Sequence, residues 1–324
     1  MFTIKELQNK IDLTLSAQKF EGNPPLLYEP IKYTLSQGGK RLRPLLTLLA
    51  CDLFDGNIEN AVYPAIGLEI FHNFTLLHDD IMDKAPIRRG KETVYKKWNT
   101  NIAILSGDTM FALAYEFMLN TDNKVIPQIL PVLNQTAREV CEGQQFDMDF
   151  ETQDNVSIAD YIEMIRLKTA VLLGGSLKIG ALIGGATPEN ADYLYNFGIN
   201  IGLAFQLKDD LLDVFSDVEK FGKMTGGDIL TNKKTFLYLK AYELAKNEEL
   251  QNLNYYFNLP ESEGTQKING VKSVYNTLNI EQLTVDEMKN YYDLALLEFD
   301  KINISEDKKQ NLLDFAKLLM DRES

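Results

Sequence analysis

The chain has 324 residues, 45 % of them apolar, which is enough for a large buried core. Its net charge of −14 argues against nucleic acid and against an anionic membrane surface, because neither attracts an acidic protein over long range. The two cysteines, Cys51 and Cys141, have no metal-ligand spacing, which points to a reduced, cytoplasmic setting.

Apolar residues recur with a helical period over 3–19, 26–36, 43–54, 60–83, 92–119, 124–152, 157–184, 190–216, 233–246, 267–278, 285–302 and 306–321. The breaks carry turn chemistry, at Gly22-Asn23-Pro24-Pro25, Gly38-Gly39, Asp55-Gly56-Asn57, Lys84-Ala85-Pro86, Thr187-Pro188 and Gly226-Gly227. Segments of period two are essentially absent, so the class is all-α. No low-complexity linker marks a boundary, and residues 1–324 read as one large helical domain. No signal-peptide core opens the chain, and no uncharged apolar run reaches the ~18 residues of a membrane span. The nearest run, Ala170 to Ala186, is interrupted by Lys178 and reads as a small-residue helix packed on its neighbours.

Between the second and third predicted helices lies Gly38-Gly39-Lys40-Arg41-Leu42-Arg43-Pro44. The glycines allow a tight turn, Pro44 suits a first helical turn, and three cations sit beside exposed helix-start N–H groups. Such a cradle fits an anion, and phosphate is the anion of choice.

The helix over 60–83 carries both histidines of the protein, His72 and His78, and ends in Asp79-Asp80-Ile81-Met82-Asp83. Residues four apart on a helix share a face about 6 Å from each other, so Asp79 and Asp83 are placed to grip a hard cation. His72 precedes Asp79 by seven residues, again on that face, whereas His78 reads as a core histidine. Arg88-Arg89-Gly90 follows within a few residues, either as salt-bridge partners of the aspartates or as bidentate phosphate ligands.

Lys168 and Thr169 interrupt an otherwise apolar helix, and Gln206 stands three residues before a second cluster, Asp209-Asp210-Leu211-Leu212-Asp213. Two copies of D-D-x-x-D, each after an apolar helical run, stack like charges near the core. Compensating cations are required, and six carboxylates in two clusters read as a divalent-metal site. Phe74 lies five residues before Asp79, roughly 7–8 Å down the helix axis, with Phe71 about a turn further. A bulky ring there is either core packing or the floor of a pocket.

Together these residues resemble the trans-isoprenyl diphosphate synthase family, the polyprenyl synthetases, of the short-chain farnesyl or geranylgeranyl type. The motifs are G-G-K-R-L-R-P, L-L-H-D-D-I-M-D followed by R-R-G, G-Q-Q-F-D at Gly143 to Asp147, F-Q-L-K-D-D-L-L-D, and Gly222-Lys223 with Gly226-Gly227-Asp228 and Lys233-Lys234-Thr235. Their order and separation fit along essentially the full chain.

The resemblance implies the isoprenoid synthase type I fold with a central cavity, usually in a homodimer. It implies head-to-tail condensation of isopentenyl diphosphate with an allylic diphosphate, assisted by three Mg²⁺. By match, Asp79, Asp83 and Asp209 ligate the metal, with Asp80, Asp210 and Asp213 in support. Lys40, Arg43, His72 and Arg89 hold isopentenyl diphosphate. Arg88, Lys168, Lys223 and Lys233 hold the allylic diphosphate, and Thr169 with Gln206 stabilise the allylic cation. Phe74, with Phe71 and Thr75, sets product length at C15 to C20. Two departures, Met224 for the usual proline and Asn232 for the usual glycine, touch specificity or a turn, and Lys208 has no assigned role.

Two alternatives remain. A class I terpene cyclase shares D-D-x-x-D but needs neither a second cluster nor a second diphosphate cradle. A non-catalytic subunit of a heteromeric synthase usually has a damaged aspartate motif, and both motifs here are intact.

Overall fold

A computed structural model describes residues 2–216 and 226–321. Lys223 and Met224 therefore lie outside the described residues. The described fold is all-α, as its helical periods require, and the chain packs as two compact units. One comprises Met1–Leu133, Ser176–Asp192 and Ile304–Leu312, the other Asn134–Gly175, Tyr193–Asn303 and Leu313–Ser324.

In the first unit, α1 (Ile4–Ala17) opens on a capping box between Thr3 and Glu6 and buries Leu7, Ile11 and Leu15 at four-residue spacing. After α2 (Pro25–Leu35), the tight turn leads into α3 (Leu42–Leu53), which is buried at every position but Arg43. The centre of the unit is α4 (Ile58–Met82), capped by Asn57 and buried almost continuously from Ala61 to Phe71.

The single helix expected over 92–119 is instead two helices, with a hairpin just before them. Strands β1 (Ile87–Arg88) and β2 (Lys91–Glu92) pair antiparallel, with Arg88 opposite Lys91. Arg89 and Gly90 form the two-residue loop with φ of 52° and 74°, the left-handed geometry that such hairpins demand and that explains the glycine. After α5 (Val94–Lys97), the side chain of Asn99 caps α6 (Thr100–Met118), accepting from Ile102 N at 2.9 Å. The apolar period runs through this break unchanged, so only the cap marks it. Helix α6 lies close on α4, because Gly67 leaves no side chain where a Cβ would stand 2.8 Å from the Ala114 carbonyl.

The remaining helices are α7 (Ile126–Thr152), α8 (Ile158–Ile165), α9 (Val171–Ile183), α10 (Pro188–Phe215), the short α11 (Gly227–Leu230), α12 (Phe236–Leu244), α13 (Asn247–Phe257), α14 (Gly264–Thr277), α15 (Ile280–Asp300) and α16 (Glu306–Asp321). The helix expected over 157–184 is broken by a π turn at Arg166–Ala170, the turn that carries Lys168 and Thr169. Wide turns of this kind collect at functional positions. Gly143 of α7 makes room for it, since a Cβ there would lie 2.3 Å from the Lys168 amide nitrogen. Helix α13 escaped the periodicity because it buries only Leu253 and Phe257 among polar residues. Among the described residues no helix is long and apolar enough to cross a membrane.

Candidate active site

The basic motif divides its three cations between support and display. Arg41, at φ 49°, turns inward and donates from Nη1 to Glu69 Oε1 at 2.6 Å and from Nη2 to the Leu35 carbonyl at 2.9 Å. Asn73 closes this buried knot by donating to Glu69 Oε1 at 3.0 Å. Arg41 thus anchors the turn that carries Lys40 and Arg43.

The hairpin brings its own pair back to the same place. Arg89 donates to the Gly38 carbonyl, and its guanidinium lies where a Cβ on Gly39 would approach within 3.1 Å. Arg88 donates from Nε to Asp80 Oδ1 at 2.7 Å. The Asp80 carboxyl is pushed up by burial and pulled back by that guanidinium. His72 is held well below the usual imidazole range, first by burial and then by Arg43, Arg89, Arg88 and Arg41. Burial and four guanidiniums keep the His72 imidazole neutral, and two of the four, Arg41 and Arg88, are paired with Glu69 and Asp80.

Along α4, Phe74 packs against His78, Phe111 and Phe71 with ring centroids 4.8, 5.4 and 5.5 Å apart. Phe71 is fully buried, whereas Phe74 is only half-buried. The hydroxyl of Thr75 donates to the His72 carbonyl at 2.8 Å, a helix back-bond. His78 lies against α6 where Gly107 has no side chain, as a core histidine does.

In the second unit a cavity of about 110 Å³ is lined by Asp147, Lys168, Thr169, Gln206, Asp228 and Lys233, among others. Lys168 pairs with Asp147, the last residue of the G-Q-Q-F-D motif. Thr169 Oγ1 donates to Gln206 Oε1 at 3.1 Å, and Gln206 Nε2 donates to Asp210 Oδ1 at 3.1 Å. The other oxygen of Asp210 accepts from the hydroxyl of Tyr161. Burial, and next the charge of Asp228, push the Asp210 carboxyl well above the usual range.

Asp228 is pushed up to about 6, by burial first and then by Asp213, with Lys233 opposing and Asp147 and Asp209 adding to the repulsion. Its backbone N–H donates to Asp213 Oδ2 at 3.0 Å, which brings the glycine-rich segment against the second aspartate cluster. Neither Asp228, Asp147 nor Tyr161 carried a role in the sequence reading. The first two stood in quoted motifs, while Tyr161 gave no signal.

Other cations prove structural. Lys208 donates to the Met320 carbonyl at the end of α16, and Lys234 to the Phe150 and Gln153 carbonyls at the end of α7, at 2.7 and 2.8 Å. Asn232 takes φ 58°, as a substitute for glycine must, and accepts at 2.6 Å from the buried Lys267.

Among the described residues no three His, Cys, Asp or Glu groups converge into a metal cage. The donor chemistry still fits Mg²⁺, which takes one or two carboxylates and completes its shell with water and substrate phosphate oxygens. The repulsion recorded at Asp228 is what such a cation would relieve.

Residues 24–278 match the family model for polyprenyl synthetases. The geranylgeranyl diphosphate synthase of Methanosarcina mazei is 40 % identical over 242 residues, covering 74 % of this chain and 75 % of that protein. A crystal structure of a geranylgeranyl pyrophosphate synthase superposes with a TM-score of 0.94 at 45 % identity, covering 100 % of both chains. The geranylgeranyl pyrophosphate synthetase of Pyrococcus horikoshii Ot3 gives a TM-score of 0.91 at 33 % identity, covering 98 % of this chain and 97 % of that one.

Proposed function

The chain belongs to the polyprenyl synthetase family, and we propose that it condenses isopentenyl diphosphate head-to-tail with an allylic diphosphate, with all-trans geranylgeranyl diphosphate (C20) as its main product. It is a short-chain trans-prenyltransferase. The observation that carries the two-substrate reading is the cradle in which Arg89 of the hairpin lies on the Gly38-Gly39 turn of the basic motif, beside a neutral His72. A cyclase, which ionises one substrate alone, has no use for it.

Lys40, Arg43, His72 and Arg89 hold isopentenyl diphosphate and align its double bond. Lys168, Lys233 and Arg88 hold the allylic diphosphate, together with Lys223 outside the described residues. Asp79 and Asp83, with Asp209 and Asp213, hold the divalent cations, three Mg²⁺ ions by family likeness. When bound, those cations take up charge on the leaving diphosphate, more in the transition state than before it.

The allylic C–O bond breaks and its electron pair leaves with the diphosphate. The Thr169 oxygen, oriented by Gln206, faces the cation that remains. The isopentenyl double bond then attacks, a new C–C bond forms, and the adjacent carbon gives its proton to the released diphosphate. Apolar walls keep water from the cation, and the cradle supplies proximity. Phe74 limits growth of the product with Thr75 beside it, and the fully buried Phe71 packs beneath them as core. The protein works as a homodimer in the cytoplasm.

Purified protein should release diphosphate only when Mg²⁺, isopentenyl diphosphate and dimethylallyl, geranyl or farnesyl diphosphate are all supplied, with C20 alcohol dominant after phosphatase treatment. Release from an allylic substrate alone would make it a cyclase, and no release a non-catalytic subunit.

A further inference from the structure

We infer that Tyr161 and Asp210 are positioning residues, which fix the direction of the dipoles that face the allylic cation, and that Asp210 serves in this role rather than as a metal ligand. The inference rests on the reaction proposed above and assigns it two further residues.

The argument is one of hydrogen-bond direction. An amide nitrogen can only donate and an amide oxygen can only accept. Asp210 is 4 % exposed and both its oxygens are occupied, one by the Tyr161 hydroxyl and one by Gln206 Nε2 at 3.1 Å. With its nitrogen committed to Asp210, the Gln206 amide cannot turn over. Its oxygen must face Thr169, and the Thr169 hydroxyl must spend its proton on that oxygen, at 3.1 Å.

The lone pairs of the Thr169 oxygen are thereby left for the cavity, which Thr169, Gln206, Tyr161 and Asp210 all line. A fixed negative end toward a developing cation stabilises it without reorganisation during the reaction. Were the amide reversed, its NH₂ would face Thr169, the threonine proton would turn outward, and the sign of the local dipole would invert.

Tyr161 keeps the chain in one state. It is 3 % exposed, stands on α8 one helical segment before the π turn that carries Thr169, and brings a hydroxyl to Asp210 across 49 positions of sequence. By holding one oxygen of Asp210 it leaves the other to the amide. At 4 % exposure and turned to these two donors, Asp210 shows little oxygen surface to a metal, although a carboxylate oxygen can accept a hydrogen bond and ligate at once.

Two variants test this. Tyr161→Phe retains the ring and removes the hydroxyl. It should lower kcat about 10- to 100-fold while KM for both substrates stays within about twofold, because only the transition state carries the cation. In a Thr169→Val background the same change should cost about nothing further, since the dipole it orients is gone. Unchanged kcat, a loss confined to KM, or full additivity with Thr169→Val would each overturn the inference.

Asp210→Asn keeps the shape and covers the case in which Tyr161→Phe does not fold. It should lower kcat and leave the Mg²⁺ concentration for half-maximal rate within about twofold, whereas a rise of about tenfold or more would make Asp210 a metal ligand. Wild-type protein that fails to condense the two substrates contradicts the proposed function instead, so the two failures are distinguishable.

Discussion

Arg41, although it stands in the basic motif, serves the fold of the turn. Arg41 is consumed by Glu69, whose side chain is 2 % exposed, and by the Leu35 carbonyl. Removing one partner of a buried pair leaves an uncompensated charge. Glu69→Ala should therefore cost about 3–5 kcal/mol of stability, whereas the double change Arg41→Met with Glu69→Leu should cost clearly less. Urea unfolding of the wild type and the two variants checks this, and a loss for Glu69→Ala below about 1 kcal/mol contradicts it. His72 makes a prediction with a sign. Unfolded, its imidazole takes a proton near 6.5, while folded it stays neutral, held down by burial and four guanidiniums. The unfolded state thus binds the extra proton, so the stability contributed at neutral pH is lost as pH falls below 6.5. Relative to His72→Gln, wild-type protein should lose up to about 1.4 kcal/mol per pH unit in that range. Saturating inorganic diphosphate should shrink the difference, because an anion in the cradle favours the charged ring. The aspartates and this histidine were legible in the sequence because they share one helix face. Tyr161 was not, because its partner lies 49 residues away and nothing local marks it.

At the scale of elements, periodicity placed the long helices and passed over what has no period. Two strands of two residues each leave no alternation to read, although they set Arg88 on Asp80 and Arg89 on the Gly38 carbonyl. The π turn at Arg166–Ala170 was likewise invisible, since one wide turn shifts an apolar stripe too little to notice. Gly143 hinted at it, but only once the structure shows the Lys168 amide lying where its side chain would be. The pairing of α4 with α6 separates two phenylalanines that the sequence could not tell apart. Phe71 is fully buried and braced by Phe111 at 5.9 Å, so it belongs to the core, while Phe74 retains exposure at the top of the same aromatic ladder. Phe74→Ala should lengthen the main product by at least one isoprene unit, read by mass spectrometry of extracted alcohols. Phe71→Ala should instead cost about 3–5 kcal/mol of stability and leave product length alone. Equal lengths from wild type and Phe74→Ala would remove Phe74 from the floor.

For the whole molecule, the difficulty is that a chain with 47 acidic and 33 basic side chains must take up two diphosphates. At physiological ionic strength distant charges are screened beyond about 8 Å, so the field within each site decides. Those fields differ in sign. Around His72 four arginines act on the imidazole, with Glu69 and Asp80 as the partners of two of them, Arg41 and Arg88. Around Asp228 the neighbours are Asp213, Asp147 and Asp209, opposed by Lys233. The first is ready for an anion as it stands, and the second repels one until cations are added. Composition could not show this, because net charge averages over the division, and motif spacing gave residues without their signs of field. Removal of divalent metal should accordingly separate the substrates. In excess EDTA, calorimetry should find isopentenyl diphosphate binding within about threefold of its affinity in Mg²⁺, since Lys and Arg contacts carry it. A non-ionisable allylic diphosphate analogue should lose about 100-fold or more, roughly 2.7 kcal/mol, because its phosphates then face bare carboxylates. Equal losses for both ligands would mean that the His72 cradle also depends on metal, and with it the asymmetry that makes one diphosphate the leaving group and the other a handle.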